Sequence, residues 1–182
     1  MNTEISRLVR AGRHPAAYFE DIEHYLDVIR ERLPGYPHEH VTLARLINHI
    51  QQRQTDLYNS VLKFHQLNYL GYLVLMAIFG SEPQVLTASA LRDAISVKSA
   101  NITRLCDALI KKGLIDRARS TKDRRNVFLR LTGKGQSLIE GLQPRLWETL
   151  RAAFSGLNTS EMRQATALLR QLLAVLEKQT TP

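Results

Sequence analysis

The hydrophobic period changes twice within a short stretch of the 182-residue chain, and that change limits the folds open to it. Up to Lys112 the apolar residues recur at helical steps. Beyond Gly113 two short runs, 114–117 and 127–131, read as strands, and from Thr132 the helical spacing returns. Before Gly113 lie two short helical patterns, about 87–95 and 98–112, separated only by Ser96-Val97. Thr87 suits the start of the first as an N-cap, and Gly113 suits the end of the second. Two short helices on a tight turn, followed by a polar, charged hairpin through residues 120–126, make a helix-turn-helix candidate.

The flanks are helical. From Tyr18 the residues Ile22, Tyr25, Leu26, Ile29 and Leu33 recur at steps of three and four, until Leu33-Pro34-Gly35-Tyr36-Pro37 stops the pattern. From about 39 to 65 a second pattern runs without Gly or Pro for about 26 residues, roughly 39 Å of helix. A helix of that length exceeds a small monomeric core, so part of it packs on a second subunit or it simply spans the molecule. The apolar run 67–79 reads as a buried helix on length, although Tyr-Leu-Val-Leu alone also suits a strand. Thr132 caps a further helix that Pro144 should kink or break. Asn158 and Glu161 have capping-box spacing for the last helix.

The charge is concentrated in the same central segment. Of 25 Lys and Arg against 17 Asp and Glu, residues 98–134 hold 11 basic and 3 acidic side chains, so the rest of the chain is neutral. Folded surfaces normally mix the two signs, and a one-sign segment that keeps periodic apolar residues suits a folded face toward phosphate. On the 98–112 helix, Ile102, Leu105, Cys106 and Leu109 form a buried stripe. The opposite face presents Ala100, Asn101, Thr103, Arg104, Asp107 and Lys111, side chains suited to base edges in a major groove. Arg124 and Arg125 at the hairpin tip have the reach for a minor groove. Asp123 beside them reads as a salt bridge that shapes the tip.

The stretches Ser99-Ala100-Asn101-Ile102-Thr103-Arg104-Leu105, Leu109-Ile110-Lys111-Lys112-Gly113-Leu114-Ile115, Asp123-Arg124-Arg125 and Leu129-Arg130-Leu131-Thr132-Gly133-Lys134-Gly135 resemble the MarR family of winged helix-turn-helix regulators. The D-x-R hairpin with a trailing L-T-x-x-G is the most specific part. The Asn-x-Thr-Arg start of the second helix, the long preceding helix and the N-terminal extension resemble the branch that represses multidrug efflux pumps. The resemblance covers roughly residues 37–179. It implies a mainly α fold with a small β-wing, combining a winged helix-turn-helix DNA-binding domain with a helical dimerisation region. The boundaries expected are an N-terminal helical extension at 1–36, a dimerisation region at 37–66 and 140–182, and a DNA-binding domain at 67–139. Within that domain the recognition helix is 98–112 and the wing 115–131. The implied partners are double-stranded DNA with a pseudo-palindromic operator, a second copy in an obligate homodimer, and a small lipophilic, phenolic or anionic aromatic effector that releases the DNA. Lys98, Ser99, Ala100, Asn101, Thr103, Arg104, Lys111, Lys122, Arg124 and Arg125 are the expected DNA contacts. One departure is Ser96, at a turn position usually held by Gly. If that turn needs a positive φ, Ser pays a modest strain cost there.

Other chemistries find less in the sequence. Cys106 sits in the apolar stripe, where a thiol is inert rather than a redox sensor. His38, Glu39, His40 and His49 match no structural zinc spacing, and no metal or cofactor is expected. P-loop, G-x-S-x-G, H-E-x-x-H and dinucleotide turns are all absent, so the chain does not read as an enzyme. Residues 16–33 hold five acids against two Arg, a balance anionic lipid repels. One Cys, no leader pattern and no apolar run near 18 residues suit the cytoplasm. Arg45, His49, Phe64, His65, Tyr69, Tyr72 and Trp147 are effector-pocket candidates on composition. The competing readings are a ligand-insensitive regulator or activator of the same fold, and a module whose basic face takes an acidic protein.

Overall fold

The computed structural model describes residues 15–95, 99–119 and 127–180, which fall into two compact units, one ending at Ser60 and the other beginning at Val61. In the first unit, helix α1 (Pro15–Arg32) precedes helix α2 (His38–Leu62), whose last two residues lie in the second unit. Gly35 turns the chain between them at φ +82°, a conformation that costs glycine nothing. Leu26 is fully buried, and the His38 imidazole Nε2 lies 3.1 Å from an Asp27 carboxylate oxygen.

The helix expected over 39–65 ends earlier than its sequence suggests. After Leu62 the chain tightens into a 3₁₀ turn, Lys63–His65, and Gln66 adopts a left-handed φ of 54°. The N–H of Leu67 reaches back to the Leu62 carbonyl at 3.2 Å, closing the helix end. The apolar spacing fades after Val61, and no Gly or Pro marks the stop because Gln66 takes the left-handed position at a modest cost.

The second unit is built around helix α3 (Tyr69–Phe79), which packs on α4 (Ala88–Ile95), α5 (Ser99–Lys111), α6 (Gly133–Ala153) and the small sheet. This apolar run is a helix, as its length requires, and not a strand. Asn68 caps α3, accepting from the Gly71 N–H at 2.9 Å, and Val74, Leu75 and Ile78 are fully enclosed. Thr87 caps α4 through the Ala90 N–H at 3.1 Å.

The sheet has three antiparallel strands in the order β1 (Val85–Thr87), β3 (Val127–Leu131), β2 (Ile115–Arg119). Val85 pairs with Arg130 and Ile115 with Leu131. Strand β1 has no counterpart in the sequence reading, because three residues are too few to display an alternating pattern. Helix α6 runs through Pro144 without a break. Proline's fixed φ is helical, and the one hydrogen bond it removes frees the carbonyl of Glu140, an exposed residue that water can serve. Helix α7 (Thr159–Thr180) opens on a reciprocal capping box: Asn158 Oδ1 accepts from the Glu161 N–H at 3.0 Å, and the Asn158 N–H donates to Glu161 Oε2 at 2.8 Å.

Candidate nucleic-acid interface

Helix α5 presents two different faces. Ile102, Cys106 and Leu109 are at most 3% exposed and Leu105 is half-buried, so the apolar stripe is the one the sequence dictates. Asn101, Thr103, Arg104, Asp107 and Lys111 are exposed on the other side. Burial pushes the Cys106 thiol above its ordinary value, the neighbouring Asp107 carboxylate adds to this, and Arg117 opposes it. The thiol is therefore protonated at neutral pH, which fits a core residue.

The C-terminal end of α5 is fixed by its own sequence. Gly113 at φ +69° lets the Leu114 N–H reach the Leu109 carbonyl at 3.0 Å, while its own N–H reaches Ile110 at 2.8 Å. This pair of bonds is a Schellman closure. The Thr132 hydroxyl then donates to the Gly113 carbonyl at 2.7 Å and accepts from the Gly135 N–H at 3.0 Å. Thr132 thereby joins the end of α5 to the start of α6. Gly135 is packed so closely that a Cβ there would lie 2.0 Å from the Leu114 carbonyl oxygen. The L-T-x-x-G motif is thus the clamp that closes the base of the hairpin.

Among the described residues, two ion pairs brace the hairpin. Arg117 on β2 bonds Asp107 on α5, and Arg130 on β3 bonds its cross-strand partner Asp116 at 3.1 Å. Both pairs are half-exposed, so each contributes about 0–1 kcal/mol and mainly sets geometry. Helical spacing puts Asp107 among the groove-facing residues, yet its carboxylate is engaged with the hairpin strand. Cross-strand register is the signal that finds the Asp116 pair. With these four charges matched, the other nine basic residues of 98–134 stand against Asp123 alone.

Of the expected DNA contacts, Asn101, Thr103, Arg104 and Lys111 share the exposed side of α5, and Ser99 and Ala100 lie in its first turn. Lys98, Lys122, Asp123, Arg124, Arg125 and the turn residue Ser96 lie outside the described residues. The effector candidates fall on several different elements. Exposed Arg45 and half-buried His49 belong to α2 in the first unit. Tyr69 is half-buried, whereas Tyr72 is a core residue whose hydroxyl donates to Gln143 Oε1 at 3.3 Å. Trp147 is exposed on α6. Phe64 and His65 come together on a groove of about 560 Å³ that they share with Lys111, Lys112, Lys134 and Leu138. Among the described residues no three His, Cys, Asp or Glu side chains cluster as metal ligands, and no helix is long and apolar enough to cross a membrane.

A helix pair whose second member is clamped to a three-stranded antiparallel hairpin sheet is a winged helix. Known proteins agree. Residues 56–142 match the family described as transcriptional regulator SarA/Rot. The transcriptional repressor MprA of Escherichia coli is 31% identical over 160 residues, 88% of this chain and 91% of that protein. A mutant MarR from E. coli, solved in complex with operator DNA, superposes with a TM-score of 0.69 at 26% identity, covering 74% of this chain and 96% of that one. The Staphylococcus aureus MepR–DNA complex shares the fold, with a TM-score of 0.68 at 21% identity over 72% of this chain and 96% of that one. The chain belongs to the MarR family of winged-helix regulators. It is a transcriptional regulator and not an enzyme.

Proposed function

We propose that the chain is a homodimeric repressor that binds a pseudo-palindromic operator and is released by small lipophilic, phenolic or anionic aromatic compounds. The observation that carries the DNA reading is the exposed Asn101, Thr103 and Arg104 face of α5, held over a buried stripe and clamped at its far end. Amide, hydroxyl and guanidinium groups on such a helix can read base edges, each good contact giving about 1–3 kcal/mol of discrimination. Lys98, Lys111, Lys122, Arg124 and Arg125 supply phosphate and minor-groove contacts in this reading.

The dimer reading is supported by α7. None of its described residues is buried, and on a single chain Met162, Leu168, Leu169 and Leu173 are all exposed. Such an apolar face needs a partner, and a second copy supplies one with the two-fold symmetry an operator requires. Control of a multidrug efflux operon and of its own promoter, and a cytoplasmic location, follow from the family resemblance. The domain boundaries named above complete the proposal, with residues 67–139 as the reading part and 37–66 with 140–182 joining the two copies.

The test is binding of the full chain to DNA upstream of its own gene against scrambled DNA at about 150 mM salt, with and without lipophilic acids and uncouplers. Tight, sequence-dependent binding reversed by a compound is expected. Arg104→Ala should lose discrimination, and Arg125→Ala should lower the salt slope by about one. Specific binding that nothing reverses would move the assignment to a ligand-insensitive regulator. Equal binding to both DNAs would overturn the operator reading.

A further inference from the structure

The groove beside the end of α5 has a chemistry of its own. It lies at the junction of the 3₁₀ turn, the last turn of α5 and the first turn of α6, and Lys111, Lys112, Lys134 and His65 line it with no carboxylate among its described lining residues. Two of these lysines are held in place. The Lys112 ammonium donates to the Gln66 carbonyl oxygen, and the Lys134 ammonium donates to the Lys112 carbonyl oxygen at 2.8 Å. An ammonium has three N–H donors, so each keeps two for another acceptor. Carbonyl partners fix the side chains without neutralising them, and the ordering cost that an exposed lysine pays on binding is already met in part.

We propose that this groove is a phosphate-binding site that takes a phosphorylated group carrying two or more negative charges. Three lysines on one groove leave a monoanion overmatched, whereas a dianion or trianion balances them. Lysine acts as a compact point charge suited to phosphate, whereas planar carboxylates are matched best by the arginine fork, and no arginine is among the groove's described lining residues. Phe64, Leu114 and Leu138 complete the lining with apolar surface, and about 560 Å³ accommodates a small organic phosphate. The site goes beyond the effector reading, since its chemistry does not require that a ligand release DNA. Each phosphodiester of a DNA backbone carries a single charge, so the ligand is a free phosphorylated compound, and contact of these lysines with DNA is the competing outcome of the test.

The experiment titrates pyrophosphate into the full chain by calorimetry at constant ionic strength. In parallel it measures the salt dependence of binding to a scrambled duplex. Wild type is compared with Lys134→Met and Lys111→Met, both exposed positions, and with Lys112→Met where circular dichroism shows it folded. Pyrophosphate binding that weakens about tenfold or more in Lys134→Met assigns the site to a free phosphorylated compound. Absence of pyrophosphate binding, with a duplex salt slope that falls by about one in Lys134→Met, overturns the proposal and leaves these lysines as DNA-backbone contacts. No change in either readout overturns the proposal, as does benzoate binding more tightly than pyrophosphate and depending on the same lysines. The wild-type comparison of operator with scrambled DNA is read separately, so failure of the regulator reading shows there and not in the lysine variants.

Discussion

Replacing Gly135 by Ala should destabilise the second unit, and the structure lets the size be worked out. An added Cβ would lie 2.0 Å from the Leu114 carbonyl oxygen and 3.0 Å from its carbon. Ordinary contact needs well over 3 Å, so backbone on one side must move by more than 1 Å. The moving backbone is the one that carries the Thr132 bonds and the Schellman closure of α5. Overpacking of this kind costs about 1–3 kcal/mol, and sometimes more when backbone rather than side chain must yield. Ala gains up to about 1 kcal/mol over Gly in a helix, which offsets part of the loss. The same helix offers an internal control, because a Cβ at exposed Gly141 meets nothing within 4 Å. Gly141→Ala should therefore stabilise by about 0.5–1 kcal/mol. Thermal unfolding at one fixed protein concentration reads both, at about 2–4 °C per kcal/mol for a chain this long. Gly135→Ala melting at or above wild type, with Gly141→Ala behaving as expected, would refute the close approach of α6 to Leu114.

Three further outcomes are expected. Cys106 should react with a thiol reagent far more slowly in the native chain than in urea; its raised native pKa also means that its contribution to stability is present below the ordinary thiol pKa and is lost as pH rises past it, which pH-dependent unfolding checks. Asn158→Ala should cost about 1 kcal/mol by opening the capping box, measured by urea denaturation at fixed protein concentration. The double change Leu169→Glu with Leu173→Glu should shift the chain from dimer to monomer in light scattering while leaving helix content nearly unchanged, since neither residue is buried on a single chain.

The parts of this fold that could be read from sequence are those where one residue sets a backbone conformation or a period runs long enough to declare itself. Gly113, Thr87, Asn158 with Glu161 and the 102–106–109 stripe each carry a local physical cause, and each recurs in the structure. What could not be read depends on partners distant along the chain. Strand β1 exists because β3 offers it an edge. Asp116 finds Arg130 through register, and Asp107 finds Arg117 because α5 packs on β2. Likewise the lysine groove joins residues 64–66, 111–114 and 134–138, three stretches that no spacing rule connects. Pro144 misleads for a different reason, since a helix-breaking residue matters less where water can take over the freed carbonyl.

The clamp at the base of the hairpin also separates two inheritances. What holds α5 in place is Gly113, Thr132 and Gly135 together with a stripe of buried apolar side chains. What α5 exposes on its other side includes Asn101, Thr103 and Arg104, none of which takes part in that support. On the proposed reading, a lineage can rewrite the outer face one residue at a time, and so change which sequence it recognises, without risking the helix that displays it. The reverse trade is closed: a change at the clamp would move every outward side chain at once, and no single compensating substitution could restore them all.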